Sequence, residues 1–263
     1  MLRLSSLLFV LMLFISGCSS YPWEQADFTI GKSQKELIEI TQKFKLDQKQ
    51  RRELPQDWQI SGILDVEHPR ESRRNRIIIT ARKPVQLRLR IYGPFNQVAF
   101  DLLVDYDWLQ LTKPSKHQVV RVPASLDGMV YLTGFRIDPT DLGQFFKATA
   151  SPLATQLRDT YDGIQTTTKS GERLFIDPKN GFINIRKPLA SAKNQYSVQY
   201  FWPDEPLSLP SSALPNKLVI TIPNEDTVLT FELRKWKFYK TEPQNRLTAI
   251  PAGFSVVEPL KDH

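Results

Sequence analysis

The sequence predicts a mainly β protein of the α+β class, with about ten or eleven strands in an antiparallel meander. From Asp57 onward, apolar and polar residues alternate in short runs that turn residues separate. This pattern is typical of antiparallel sheets with one buried and one wet face. A helical pattern precedes the runs, and a second helical stretch at 125–150 interrupts them. We find no internal repeat.

The amino terminus has the features of a secretory signal peptide that ends in a lipidation site. Arg3 precedes an apolar stretch over 7–15, which is much shorter than the roughly 20 residues of a bilayer-spanning helix. Ile15-Ser16-Gly17-Cys18 resembles the lipobox of bacterial lipoproteins, where the thiol is alkylated by diacylglycerol and the Cys becomes the new terminus. We therefore predict that residues 1–17 are removed and that Cys18 is lipidated. The alternative is an ordinary secretory signal with an incidental Cys.

Cys18 is the only cysteine of the chain, and a lone cysteine in an oxidising compartment needs a reason, which lipidation supplies. Ser19 follows it, where Asp would favour retention in the inner membrane. We therefore expect a lipid-anchored outer-membrane protein that faces the periplasm, a location that excludes nucleic acid as a partner. Removing Arg3 with residues 1–17 leaves 34 basic and 28 acidic residues. Anionic lipid head groups or solubility alone would account for this surplus.

An amino-terminal helix is predicted after a lipidated tether over 18–32. Ser33 begins a capping box, with Glu36 three residues later. The helix is expected to end before Pro55 and to pack one stripe of residues on a larger body. That stripe consists of Leu37, Ile40, Thr41 and Phe44.

The domain that follows the tether is expected to extend over 33–238 and to hold two groups of strands. The pair Asn180-Gly181 is a strong hairpin signal within the second group. Residues 203–215 form a Pro-rich connection, and 239–263 are expected to be a loosely attached tail. The predicted strand segments are 57–64, 74–82, 87–91, 98–104, 108–112, 118–122, 163–168, 173–177, 182–186, 196–202, 217–222 and 227–238.

Two short helices are expected between the groups of strands. Ser125 or Asp127 can start the first, and Asp138-Pro139 can start the second, since Asp is a good cap and Pro suits the first turn. The second helix carries Phe145 and Phe146, so it can cover the apolar face of a sheet.

Residues that carry enzymatic chemistry are scarce in the sequence. His68, His117 and His263 lie on a turn, a strand edge and the last position, and the sequence lacks nucleophile-elbow, zinc-protease, P-loop and dinucleotide motifs. Asp105 and Asp107 have the spacing of a carboxylate pair, but they occupy a predicted hairpin turn, where Asp is favoured for backbone reasons. We therefore expect a protein that is not an enzyme and that needs neither a cofactor nor a metal.

Basic residues are densest along the second and third predicted strands. They could contact phosphate head groups. The sequence favours a different interpretation, a solvated sheet face and hairpin tip whose charges also discourage edge pairing. The cluster consists of Arg70, Arg73, Arg74, Arg76, Arg82, Lys83, Arg88 and Arg90.

The segment Tyr92-Gly93-Pro94-Phe95-Asn96 joins two strongly alternating strands and carries a Phe at the tip of a tight loop. A lone apolar side chain that faces water gains nothing from folding. From the residues alone, the favoured interpretation is that Phe95 folds back onto the sheet.

These segments resemble the LolA/LolB family of half-barrel lipoprotein carriers, and in particular its LolB-like outer-membrane lipoprotein receptors. Residues 90–98 are similar to that family's strand, its Asn-Pro-Leu-Gly type loop and the next strand. Residues 214–222 and the final strand up to Trp236 resemble its closing hairpin. The lipobox, the amino-terminal helix and the mid-chain helices also fall in the family's order. The resemblance extends over residues 36–238.

The resemblance implies a single incomplete antiparallel β-barrel whose concave apolar face is covered by helices. The cavity would hold acyl chains of a lipoprotein cargo received from a soluble LolA-like carrier, and a monomer would pass them to the outer membrane. An exposed Leu on the loop is implicated in delivery, so Gly93, Pro94 and Phe95 form the predicted membrane-directed loop. The predicted cavity residues are Leu87, Leu89, Ile91, Phe100, Leu102, Met129, Phe145, Phe146 and Phe231.

The chain departs from the family pattern at Phe95, where the family has Leu, and at Gly93, where it often has Asn. The 203–215 connection and the tail are also unusual. These departures leave open a paralogue of the same fold that binds another apolar ligand. Two further alternatives are an envelope lipoprotein that acts as a structural or protein-interaction module, and a hydrolase.

Overall fold

The computed structural model of the chain describes residues 31–82, 86–188, 196–203, 214–239 and 252–257. Within these residues, fourteen strands form one open curled sheet, and three α-helices accompany it. The predicted mainly β, incomplete-barrel fold class is thereby confirmed. Residues 1–30, with the predicted signal peptide and Cys18, lie outside the described residues, as do Lys83 and most of the 203–215 connection.

The helices and strands follow one another in two strand groups with two helices between them, as the sequence predicts. The helices are α1 (Gln34–Glu53), α2 (Leu126–Thr133) and α3 (Pro139–Lys147). The first strands are β1 (Trp58–His68), β2 (Glu71–Arg82), β3 (Gln86–Tyr92), β4 (Val98–Val104), β5 (Trp108–Lys113), β6 (Gln118–Pro123) and β7 (Arg158–Thr160). The others are β8 (Gly163–Thr167), β9 (Arg173–Ile176), β10 (Ile183–Lys187), β11 (Ser197–Phe201), β12 (Lys217–Ile222), β13 (Thr227–Phe238) and β14 (Ser255–Val257).

The sheet is centred on the pairing of β1 with β13. Its order is β14-β6-β5-β4-β3-β2-β1-β13-β12-β11-β10-β9-β8-β7, and all described pairs are antiparallel except that of β14 with β6. The strand count exceeds the expected ten or eleven: the twelve predicted segments all correspond to strands, and β7 and β14 are two more that no predicted segment covers. Each has three residues, too few to show an alternating pattern. Since β14 lies within 239–263, part of the expected loose tail is a strand of the sheet.

One face of the sheet carries the core. Ile60, Ile79, Leu89 and Leu102 lie in one register row across β1 to β4. Ile60 and Ile79 are fully buried, and each such side chain contributes roughly 1.5–3 kcal/mol relative to exposure. The two mid-chain helices supply the opposite wall of this core, notably with Met129, Phe145 and Phe146.

The amino-terminal helix begins and ends where the sequence predicts. The Ser33 hydroxyl accepts from the Glu36 amide at 3.3 Å, and the Glu36 carboxylate accepts from the Ser33 amide at 2.8 Å. The hydrogen bond from the Ser33 amide, with Lys32 beside it, lowers the pKa of Glu36 to about 2. The helix ends at Glu53, and no helix in the described ranges is both long and apolar enough to cross a membrane.

α1 docks on the hairpin between β9 and β10 through a close backbone approach. Gly181 has a φ of +76°, and a Cβ there would lie 2.6 Å from the Phe44 amide nitrogen. The Lys43 ammonium donates to the Lys179 carbonyl of the same hairpin at 3.0 Å. Gly181 is therefore required both for the predicted turn and for the seating of the helix.

Candidate functional site

A pocket of about 350 Å³ opens between α3 and one end of the sheet. Trp58, Ala81, Leu87 and Val104 form its floor, and they are direct cross-strand neighbours on β1 to β4. Trp58, Leu87 and Val104 are 2%, 5% and 5% exposed. An apolar floor of this kind, with a few polar groups around it, is typical of small-ligand sites. The other lining residues are Arg52, Gln56, Arg82, Pro139, Thr140, Gly143, Gln144, Lys147 and Thr149.

One face of α3 forms the wall of this pocket. Thr140, Gly143, Gln144 and Lys147 follow the three- and four-residue spacing of a helix face. The helix starts at the predicted cap, where the Asp138 carboxylate accepts from the Thr140 amide at 2.9 Å. This start directs the polar face towards the pocket and the adjacent Phe side chains into the core.

The charged side chains that line the pocket are all basic within the described part of the chain. They are Arg52, Arg82 and Lys147. Lys147 is 6% exposed, and its ammonium has no hydrogen-bond or ion-pair partner among the described residues. Burial lowers the pKa of Lys147, because the charged form is poorly solvated there.

α1 holds the end of α3 through Arg51, which also forms a buried ion pair within α1. Arg51 is fully buried, and its Nε donates to the Asp47 carboxylate at 2.7 Å. Its Nη1 donates to the Lys147 carbonyl at 3.2 Å, and its guanidinium carbon lies 4.4 Å from the centre of the Trp202 ring. Burial raises the pKa of Asp47, although the bond from Arg51 acts in the opposite direction.

A second set of contacts fixes the chain just after α3. Gln48 donates to the Ala148 carbonyl at 3.1 Å and accepts from the Ala150 amide at 2.8 Å. Ala148 adopts a left-handed conformation with a φ of +48°, which a residue with a Cβ rarely adopts. Arg186, also fully buried, donates to the Thr149 carbonyl. The pocket wall is therefore anchored at its carboxyl end.

The first turn of α3 is tied to the other half of the sheet. The Tyr196 hydroxyl donates to the Asp141 carboxylate at 2.6 Å. Burial is the main reason that the pKa values of Asp141 and Tyr196 are both raised. Asp141 is thus a partly desolvated carboxylate whose hydrogen bond holds the helix in place.

The nine predicted cavity residues lie on the inner side of the sheet or on the helices that cover it. Leu87 lines the pocket. Leu89, Ile91 and Phe100 are partly buried against the core. The remaining five are buried within it, namely Leu102, Met129, Phe145, Phe146 and Phe231. Five of the nine predicted cavity residues are thus packed in the core of the described structure, and the pocket lies at one end of the sheet.

The loop between β3 and β4 projects Phe95 into solvent. Its side chain is 91% exposed, so it does not fold back onto the sheet as the residues alone favour. The Gly93 amide donates to the Gln97 carbonyl at 2.9 Å, and Asn96 turns the chain with a φ of +61°. The Phe95 amide is held by the Gln97 side chain at 2.9 Å. The exposed ring therefore sits on a well-formed turn.

The predicted basic cluster is largely balanced by carboxylates. Arg88 binds Asp101 through two hydrogen bonds of 2.8 and 2.6 Å, and Arg74 bridges Asp65 and Glu232 at 2.8 and 2.9 Å. Hydrogen bonds from Arg234 and Arg74 lower the pKa of Glu232. This pairing favours the solvated sheet face over a phosphate-binding patch.

Of the carboxylates and histidines that the sequence singles out, His263 lies outside the described residues. The Asp105 amide donates to the Trp108 carbonyl at 3.0 Å, which confirms the predicted turn between β4 and β5. No group of three or more His, Cys, Asp or Glu residues in the described ranges could hold a metal ion.

Sequence reasoning missed Arg52 and Lys147. A basic residue in the last turn of a helix is usually explained by the helix dipole, and on the sequence alone Lys147 would be explained in this way. The available signal was the polar face of α3, on which Lys147 lies two helical turns after Thr140.

Comparison with known proteins shows the fold. No family model matches the chain, and no curated protein sequence matches it. A LolA superfamily protein from Nitrosomonas europaea is 13% identical, with a TM-score of 0.50, over 77% of this chain and 94% of that chain. A DUF1329 family protein from Desulfovibrio piger is 9% identical, with a TM-score of 0.52, over 78% and 95%. A domain assigned to outer membrane lipoprotein sorting, from Vibrio parahaemolyticus, is 10% identical, with a TM-score of 0.54, over 79% and 94%. The chain therefore has a LolA-like half-barrel fold.

Proposed function

We propose that this protein is a lipid-anchored, periplasm-facing carrier that binds acyl chains of lipoproteins and helps to insert them into the outer membrane, as LolB-like receptors do. It acts by binding and release and catalyses no reaction. The lipobox at Cys18 supports the anchor, and the half-barrel fold with its apolar pocket supports acyl-chain binding. A soluble LolA-like carrier would supply the cargo.

The observation that carries this proposal is the exposure of Phe95. The pocket lies at the end of the β3–β4 hairpin that holds Leu87 and Val104, and Phe95 lies at the opposite end. A ring that enters the membrane interface gains roughly 25 cal/mol per Å² of apolar area removed from water, on the order of a few kcal/mol. Membrane contact and ligand binding are therefore separable within one hairpin.

The separation can be tested with two substitutions at one position. The lipid-free protein is loaded with an acylated cargo, and the arrival of that cargo in liposomes is measured. Phe95→Leu should keep transfer, whereas Phe95→Glu should lose it, because Glu gives up the interfacial gain and meets anionic lipids. Cargo uptake and stability should be unchanged in both. Equal transfer by all three proteins would show that the loop is only a hairpin.

The burial of Phe145 and Phe146 in the core favours a second candidate function, a protein-interaction module of the same fold. Phe145 and Phe146 occupy space that a large acylated cargo would need. Native mass spectrometry of the protein purified without its lipid anchor at Cys18 separates the two functions. Bound lipid or acylated peptide supports the carrier, and a consistently empty pocket supports the interaction module.

A further inference from the structure

We infer that the pocket beneath α3 selects acyl chains that carry an anionic oxygen group, a carboxylate or a phosphate, and that Lys147 binds this group. The inference rests on the acyl-binding part of the proposed function and adds the chemical class of the ligand.

The first step is that the Lys147 ammonium meets the pocket without a protein partner. Lys147 lines the pocket and only 6% of the residue is exposed, yet no carboxylate or carbonyl among the described residues pairs with its ammonium. The ammonium nitrogen is not one of the fully enclosed atoms, so it faces the open pocket while the rest of the residue is buried. A charge that burial deprives of part of its hydration is stabilised by an anion that reaches it, so this position suits an anionic group of a ligand.

The second step is that the helix terminus does not account for Lys147. A lysine in the last turn can stabilise free carbonyl groups there. In this protein Arg51 already donates to the Lys147 carbonyl, and Gln48 donates to the Ala148 carbonyl. The Ala148 amide donates to the carbonyls of the preceding turn. The ammonium is therefore left for another acceptor.

The third step is the sign of the surrounding charge. Arg52 and Arg82 line the same pocket, and none of the described lining residues is acidic. Several positive charges beside an apolar wall raise the local concentration of anions. Arg52 is exposed at the rim of the pocket, so it can attract an anion towards the Lys147 ammonium.

The fourth step is the neighbouring apolar floor, which indicates an amphiphile instead of a free anion. Trp58, Leu87 and Val104 present a dry surface beside Lys147. Water gains nothing from contact with this surface, whereas an alkyl chain is stabilised by leaving water. A ligand with its chain on the floor and its anionic group at Lys147 satisfies both parts of the pocket.

The test compares ligands that share a chain and differ in charge. Palmitate, hexadecanol, palmitoyl lysophosphatidate and inorganic phosphate are titrated by calorimetry into the lipid-free protein, in which Cys18→Ser removes the anchor. We expect palmitate and lysophosphatidate to bind at least about tenfold more tightly than hexadecanol, since a charge-assisted hydrogen bond forms only with them. Inorganic phosphate should bind far more weakly than lysophosphatidate.

Three variants connect the preference to Lys147. Lys147→Met should remove most of the preference and leave hexadecanol binding within about threefold, because Met has a similar length and no charge. Lys147→Arg should retain a preference. Lys116→Met is the matched control, since Lys116 is an exposed lysine outside the pocket, and it should bind as the wild type does. Melting curves confirm that each variant is folded.

The possible outcomes separate this inference from the proposed function. Equal binding of palmitate and hexadecanol, or an unchanged preference in Lys147→Met, overturns the inference and leaves acyl binding intact. Phosphate binding as tight as that of lysophosphatidate overturns the role of the chain. Failure of every chain-bearing ligand to bind overturns both proposals.

Discussion

The rings of Trp58 and Phe146 meet edge-on, with their centroids 6.3 Å apart. Trp58 lies on the floor of the pocket, whereas Phe146 lies in the core and also contacts Phe231 at 5.4 Å. The floor of the pocket and the core of the half-barrel therefore share a wall. Changes in core packing should reach the pocket through this contact.

Phe146→Ala should lower the free energy of unfolding by about 3–5 kcal/mol, because it removes a fully buried ring and leaves a cavity. Urea denaturation monitored by circular dichroism measures this loss. Phe95→Ala is the matched control, and it should change the free energy by no more than about 0.5 kcal/mol, since that ring is exposed. Similar losses in the two variants would contradict the assigned packing.

Lys147→Met should stabilise the ligand-free protein at neutral pH, because it replaces a charge that burial leaves poorly solvated. The lowered pKa of Lys147 also predicts a pH dependence. The unfolded chain binds a proton that the folded protein releases between the lowered pKa and the ordinary value of 10.5, so stability should rise with pH across this window. Melting temperatures from pH 7 upward should show this rise in the wild type and a smaller one in Lys147→Met. Identical profiles would place the ammonium in solvent.

Tyr196→Phe should cost about 1–3 kcal/mol, because it leaves the partly buried Asp141 carboxylate without its hydrogen bond. That bond lowers the pKa of Asp141, so its loss should raise the pKa further. The folded variant then favours the protonated acid, and its deficit in stability should grow as pH rises from about 4 towards neutrality. Denaturation at both pH values measures the difference. Tyr161→Phe, at an exposed position, should show no deficit at either pH.

Cys18→Ala should leave the protein as an uncleaved precursor or release it from the outer membrane. One acyl chain binds membranes only marginally, whereas the several chains of a lipoprotein anchor it stably. Membrane fractionation followed by mass measurement of the amino terminus checks both results. Mature Cys18→Ala protein that stays firmly in the outer membrane would refute the lipobox.

The elements that could be predicted from the sequence are those with local causes. Ser33 and Glu36 lie within one turn of each other, and Asp138 directly precedes Pro139. Both helix starts therefore depend on neighbouring residues. Strand alternation likewise depends on adjacent residues, and in β1 and β12 it matches the alternation of burial. In β4 and β5 the predicted wet face is wrong, because both faces are buried there and Leu103 and Gln110 are only 2% and 4% exposed. The curled sheet followed from the order of these elements and the family resemblance.

The features that could not be predicted depend on residues far apart in the chain. Arg51 meets the Lys147 carbonyl across 96 positions, and this contact decides which groups near α3 remain without a partner. An apolar pattern shows which face of a strand is buried, but it does not show whether a ligand or a helix covers that face. Periodicity predicted that the helix with Phe145 and Phe146 covers the sheet, but it could not predict how much room that helix leaves for a ligand.

The pairing of β1 with β13 has a consequence for how the chain reaches its native state. β1, the first strand of the sheet in the chain, pairs with β13, the last long one. The paired residues are as far apart in sequence as Trp58 and Phe238. Contacts of such separation form late, because closing a long loop is entropically costly. Until β13 arrives, β1 presents an open edge on an apolar sheet, which is a template for pairing with other chains. A chain that lacks β13 should therefore aggregate instead of forming half of the sheet.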